Sequence, residues 1–171
     1  KPVSEPVKGP AVHNPLNKFG HGKTPTLADS SNKNRLEYQV FIPAIHISEP
    51  DPGLLNRYDL YGNILADIRS VLSKEAPISK ELLSRRVMTA WLVTKIGKRI
   101  DAYLKSVFTQ MKIKHTYAGR QFFWDEGQDP NSYIYYRVAG KGQYRREAED
   151  IPPEEISNAV HEILDNQISL N

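Results

Sequence analysis

The sequence predicts a mainly α fold with a small β-hairpin (α+β), arranged as a winged helix-turn-helix with an extended N-terminal arm and an extra C-terminal helix. Three observations predict it. Apolar residues recur at helical spacing in three consecutive segments between residues 64 and 112, and an alternating stretch with a Gly-Arg turn follows at 113–124. The basic residues crowd into this same part of the chain. Residues 79–120 hold ten Lys/Arg against two acids, whereas residues 121–171 hold four against ten, in a chain whose net charge is only +3.

The elements follow in order. Eight of the 12 prolines fall within the first 52 residues, and residues 1–35 show neither helical nor strand period, so they read as a linker or tail. Residues 36–48 are rich in β-branched and aromatic types. Pro43 would leave a ladder position empty, which predicts an edge strand or an extended apolar arm. Ile64, Leu65, Ile68, Val71 and Leu72 lie on one stripe of a first helix that ends before Pro77. Ala76-Pro77-Ile78 is expected to form a small first strand. Ser79 then caps a second helix carrying Leu82, Leu83, Val87, Ala90 and Trp91, with Glu81 in its first turn where the helix dipole favours an acid.

A third helix is expected from about Thr94 to Lys112, with Ile96, Ile100, Tyr103, Leu104, Val107, Phe108 and Met111 facing the core. Its other face carries Lys95, Lys98, Arg99, Ala102, Lys105, Ser106 and Thr109. Gly97 suits either a close backbone approach or a later helix start. Ile113, His115 and Tyr117 alternate with Lys114 and Thr116, and Gly119-Arg120 turns the chain into Gln121-Phe122-Phe123-Trp124, a hairpin that would be the wing. Pro152-Pro153-Glu154-Glu155 opens a last helix whose apolar face is Ile156, Val160, Ile163 and Leu164. The organisation expected is a Pro/Gly-rich tail and apolar arm at 1–53, a winged-helix core at 54–126, and at 127–171 a polar hairpin or loop with a C-terminal helix packed on the core.

Composition removes several chemistries. Without cysteine there can be no disulfide framework, Cys-type zinc site or thiol catalysis. The five histidines are scattered, none paired at i, i+4. Gly20-His21-Gly22-Lys23-Thr24 ends like a P-loop, but no glycine between Leu16 and Phe19 completes the motif and no buried strand precedes it. The acids at 125–129 and 147–155 fit a solvated surface better than a nuclease centre, and no Gly-x-Ser-x-Gly context exists. The fragment therefore reads as non-catalytic, with no cofactor, metal or small-molecule substrate. No apolar run reaches the ~20 residues of a membrane span, and a cytoplasmic setting is expected. Trp91, Phe108, Phe123 and Trp124 have the spacing of a small core rather than of a base-stacking platform.

Five short motifs carry a resemblance. Glu75-Ala76-Pro77-Ile78, Leu83-Ser84-Arg85-Arg86-Val87, Gly97-Lys98-Arg99-Ile100, Phe122-Phe123-Trp124 and Ile151-Pro152-Pro153-Glu154-Glu155-Ile156 stand in an order and spacing that resemble an uncharacterised domain. It is found at the C-terminal end of large bacterial superfamily-1 DNA-helicase-like proteins. The resemblance covers residues 55–168. It implies a parent with an ATP-driven helicase core, often followed by a restriction-endonuclease-like module.

In a winged helix the helix before the wing faces a DNA groove. Thr94, Lys95, Lys98, Arg99 and Lys105 are accordingly expected to contact nucleic acid, with Lys114, His115 and Arg120 of the wing reaching the backbone beside it. The expected partners are DNA, duplex or forked and largely independent of sequence, and other domains of the parent. The competing expectation is a protein-interaction module docking onto those domains or a partner.

Overall fold

The computed structural model describes residues 33–51, 53–141 and 144–168. The tail at 1–32, with the Gly20–Thr24 string, lies outside them. The described part is an α+β fold of four α-helices and short strands, falling within one of two contact units. Helix α1 spans Tyr61–Glu75, strand β2 Ile78–Ser79, α2 Lys80–Thr89 and α3 Lys98–Gln110. Strands β3 (His115–Ala118) and β4 (Arg120–Phe123) form the hairpin, and α4 spans Pro153–Ile168. A three-stranded antiparallel sheet has the order β2-β4-β3, with Ile78 opposite Phe123 and His115 also opposite Phe123 on the other side.

The three central helices form because their apolar stripes can close on one another. Ile64, Ile68 and Val71 of α1, Leu82, Leu83 and Val87 of α2, and Leu104, Val107 and Phe108 of α3 are all buried. Each such side chain contributes about 1.5–3 kcal/mol on leaving water. Trp91, Phe123 and Trp124 are buried too, so the aromatic set belongs to the interior. Ser79 caps α2 as its residue type demands, its Oγ accepting from the Leu82 amide at 3.1 Å.

Several expectations are corrected. Helix α3 begins at Lys98 rather than near Thr94, with Gly97 as an extended N-cap residue. Thr94 and Lys95 therefore lie in the α2–α3 connection. The first strand is Ile78–Ser79 rather than Ala76–Ile78, because the extended Ser79 both pairs with Phe122 and caps α2. The hairpin turns at Gly119 alone, with φ +71°, a conformation for which glycine is suited. The edge strand within 36–48 is limited to β1, Arg35–Glu37, which pairs in parallel with β5, Tyr136–Val138. Residues 127–138 thus return beside the arm instead of forming a second hairpin. Beyond β1 the arm runs extended, burying Tyr38 and packing Phe41 and Ile47 against the core.

The largest departure is α4. It sits against β5 through polar groups: buried Glu155, Asn158 donating to the Tyr133 and Tyr135 carbonyls at 2.8 and 3.0 Å, and Tyr136 donating to Glu162 at 3.1 Å. Ile156, Val160, Ile163 and Leu164 are each about half exposed. The helix is amphipathic as expected, yet its apolar face is not the one it packs on the core.

Buried ions fasten the outer segments. Arg137 donates from Nη1 to the Glu75 carbonyl at 2.7 Å, from Nη2 to the Pro77 carbonyl at 2.5 Å, and from Nε to Glu155 at 2.9 Å. Arg146 bonds the same carboxylate at 2.6 Å. Burial alone would raise the Glu155 pKa, but the hydrogen bonds and charges of Arg146 and Arg137 outweigh it and hold the carboxyl below its ordinary value. Glu75, fully buried, accepts from the Tyr38 hydroxyl, the Phe41 amide at 2.7 Å and Arg86 Nε at 2.9 Å. Burial, and then Glu75 itself, push the Tyr38 pKa up and keep that hydroxyl a donor.

Replacing Glu155 by Ala leaves two guanidinium groups without their buried counter-charge and should lower stability by about 3–5 kcal/mol in urea unfolding followed by circular dichroism. The pH dependence has a definite sign. A depressed native pKa stabilises fully above the ordinary carboxylate value of about 4.3 and is lost as pH falls below it. The stability gap between the native chain and Glu155→Gln should therefore be widest near neutrality and narrow in acid.

Candidate nucleic-acid interface

The exposed side of α3 is built by helical spacing. Lys98 and Lys105 stand seven residues apart, two turns along one line and about 10 Å in rise. Ala102, Ser106 and Thr109 share that exposed face. Lys112 follows just past the helix end. It lines, with Lys105, Thr109, His115 and Gln121, a recess of about 250 Å³ between α3 and the hairpin whose floor is Phe108 and Phe123. Among the described residues no carboxylate lies within ion-pair distance of Lys95, Lys98, Lys105 or Lys112.

The hairpin supplies the second wall. Phe108 and Phe123 pack with ring centroids 4.9 Å apart, fixing β4 against α3. Side chains alternate across a strand, so Phe123 and Gln121 of β4, with His115 and Tyr117 of β3, turn to the α3 side. Thr116 turns the other way, its Oγ1 accepting from Trp124 Nε1 at 3.1 Å. At the opposite end of α3, a recess of about 530 Å³ has Leu54, Leu92 and Ile100 among its apolar walls and Lys95, Lys98 and Arg99 around it.

The eight expected contact residues separate into three groups. Lys105 and His115 line the α3–hairpin recess, Lys98 lies two turns before Lys105 beside the recess at the other end of α3, and Thr94 and Lys95 are exposed in the connection leading to it. Arg99 is exposed on the flank of α3 and donates to Asn56 Oδ1 at 3.1 Å. Lys114 and Arg120 are otherwise engaged. Strand alternation turns Lys114 away, and its Nζ donates to the Gln128 carbonyl at 2.5 Å. Arg120 pairs with Glu149 at 2.8 Å and lies 3.7 Å from Asp150.

The wider basic block is likewise divided. Lys80 is paired with Asp101 at 2.6 Å, Arg85 with Asp150 at 2.8 Å and Arg86 with Glu75 at 2.9 Å. Sequence reasoning passed over Lys112 and Gln121 as contact residues. The seven-residue repeat Lys98, Lys105, Lys112 was the signal that could have found the first.

Lys112 has φ +51°, a left-handed conformation at the helix end where glycine is the usual residue. A lysine there is strained by about 1 kcal/mol. Among the described residues no group of three or more His, Cys, Asp or Glu side chains could hold a metal ion, and no helix is long and apolar enough to cross a membrane.

A family model described as "Protein of unknown function (DUF3320)", a domain found in helicase-like proteins, matches residues 61–102. The match runs from the start of α1 into the first turns of α3 and spans roughly a quarter of the chain. No curated protein and no solved structure matches the chain.

The αL geometry gives a direct expectation. Lys112→Gly should raise stability by about 0.5–1 kcal/mol in urea unfolding, by relieving the positive-φ strain. A fall in stability would mean that the lysine side chain supports the fold.

Proposed function

We propose that this chain is a non-catalytic nucleic-acid-binding module of winged-helix type, an accessory part of a larger helicase-like protein, gripping the DNA backbone through α3 and the hairpin. The observation that carries the reading is the unpaired lysine line of α3 beside the hairpin recess. The element order α1, β2, α2, α3, β3, β4 and the sheet order β2-β4-β3 support the winged-helix reading, under which the third helix would meet the groove. The short family match to a domain of helicase-like proteins agrees with a parent of that kind.

The mechanism is electrostatic. Ammonium groups held on one exposed face displace counterions condensed on the phosphates, and that release drives binding without reading sequence. Lys95, Lys98, Arg99, Lys105 and Lys112 form the contact set, with His115 and Gln121 as hydrogen-bonding groups of the second wall. Lys114 and Arg120 contribute little, because one is held by a loop carbonyl and the other by acids.

Fluorescence anisotropy of labelled duplex DNA against salt should give log affinity falling with log salt at a slope of about −4 to −5. Lys98→Glu with Lys105→Glu should abolish binding, while Lys114→Ala should leave it unchanged. A flat salt response from a folded chain sinks the proposal.

One observation favours a second reading, a module that docks onto other domains of the parent or a partner protein. The apolar face of α4, with Ile156, Val160, Ile163 and Leu164, is uncovered among the described residues. Under that reading Ile163→Asp would disrupt co-purification with the parent's remaining domains and leave DNA affinity untouched. Under the first reading alone it would change neither.

A further inference from the structure

Tyr117 is 76 % exposed, near the tip of a hairpin whose other aromatic residues, Phe122 and Phe123, are buried. A phenol ring left in water at such a place has no part in the core. It stands on β3 opposite Gln121, two residues from His115, on the side of the strand that faces the lysine-lined recess of α3. The turn beyond it is Gly119 alone, so the ring is carried on a short, hydrogen-bonded ladder with four paired positions and not on a long mobile loop. That ladder is anchored by β2 on its far side and by Phe108 beneath Phe123. The backbone that carries the ring is held, and the ring itself is uncovered.

Resting on the nucleic-acid reading above, we propose that Tyr117 is a stacking platform for an unpaired base, which makes the preferred ligand a DNA junction with a single-stranded arm beside a duplex. The chemistry of the neighbours fits this ligand. Lys98, Lys105 and Lys112 neutralise phosphates along α3, while the flat face of Tyr117 offers a surface that every base can use. A paired base lies inside its stack and cannot reach such a ring without leaving it. An unpaired base at the duplex end can. Gln121 and His115, next to the ring, supply polar groups for the edge of that base or its sugar.

The test uses the complete chain with three labelled DNA probes of equal length: blunt duplex, single strand and fork. A further fork carries 2-aminopurine at the first unpaired position. The native chain should bind the fork more tightly than the blunt duplex and quench the 2-aminopurine. Tyr117→Ala should weaken fork binding by about tenfold, leave blunt-duplex affinity unchanged and abolish the quenching. Tyr117→Phe should restore both, since it keeps the ring and loses only the hydroxyl. Unfolding midpoints equal to that of the native chain establish that both variants are folded, as replacement of so exposed a side chain should allow.

Equal affinity of the native chain for fork and blunt duplex, or fork binding that survives Tyr117→Ala, overturns the stacking role while the backbone grip still stands. A native chain that binds none of the probes overturns the grip and the stacking role together, so the two failures are told apart.

Discussion

The arrangement depends first on Arg137. Its guanidinium is nearly buried and bonds three consecutive carbonyls, those of Glu75, Ala76 and Pro77, as well as the Glu155 carboxylate. Tyr38, which lies under the guanidinium at 5.3 Å, ties the N-terminal arm to the same place and donates to Glu75. One charged group therefore joins the arm, the link between α1 and β2, the returning strand β5 and the start of α4. A planar fork with five donors can satisfy so many acceptors at once, whereas a lysine could not. The Ala76 carbonyl also accepts from Gln128 at 2.9 Å, but those of Glu75 and Pro77 rely on Arg137.

This fastening decides where the acidic part of the chain goes. Glu155 is held by Arg137 and Arg146, and Asp150 accepts from Ser79 at 2.5 Å and pairs with Arg85. Glu149 meets Arg120 at the end of the hairpin. The carboxylates of the last fifty residues that enter these pairs thus neutralise α2, the hairpin end and one another's neighbours. None of these pairs reaches the exposed line of α3. The overall charge pattern in the sequence suggested a basic block and an acidic tail. The fold resolves it into a basic block that is half neutralised and half left open.

Local signals were legible and distant ones were not. The apolar stripes of α1 and α2, the Ser79 cap and the Gly119 turn are properties of a few adjacent residues, so they could be read directly. The apolar period predicts too early a start for α3 because Ile96 continues it, whereas the helix begins only at Lys98, after the extended Gly97. The pairing of β1 with β5 joins Arg35 to Tyr136 across a hundred residues, and three-residue strands carry no periodicity to betray it. The partners of Arg137, Arg146 and Glu75 likewise depend on which segments meet in space. For the interface, residue types and rough position were visible. Which cations were already paired was not, and that removed Lys114 and Arg120 from it. The amphipathic pattern of α4 was real, but a pattern states that a face is apolar and says nothing of what covers it.

Two features of the α3 end are poorly explained by stability alone. Among the described residues Lys98, Lys105 and Lys112 have no ion-pair partner, and Asp101, the one acid of α3, is paired with Lys80 instead. Lys112 in addition occupies a backbone conformation that glycine would adopt without strain. Sites where local choices run against the fold are where function is to be sought. Under the proposed reading a polyanion laid along α3 would screen these lysines from one another, while the left-handed backbone of Lys112 would keep its strain. The recess beside Lys112, walled by Gln121 and His115, extends that surface onto the hairpin without adding any negative charge to it. Whatever faces the unpaired lysines of α3, phosphate backbone or protein, must itself carry negative charge to match them.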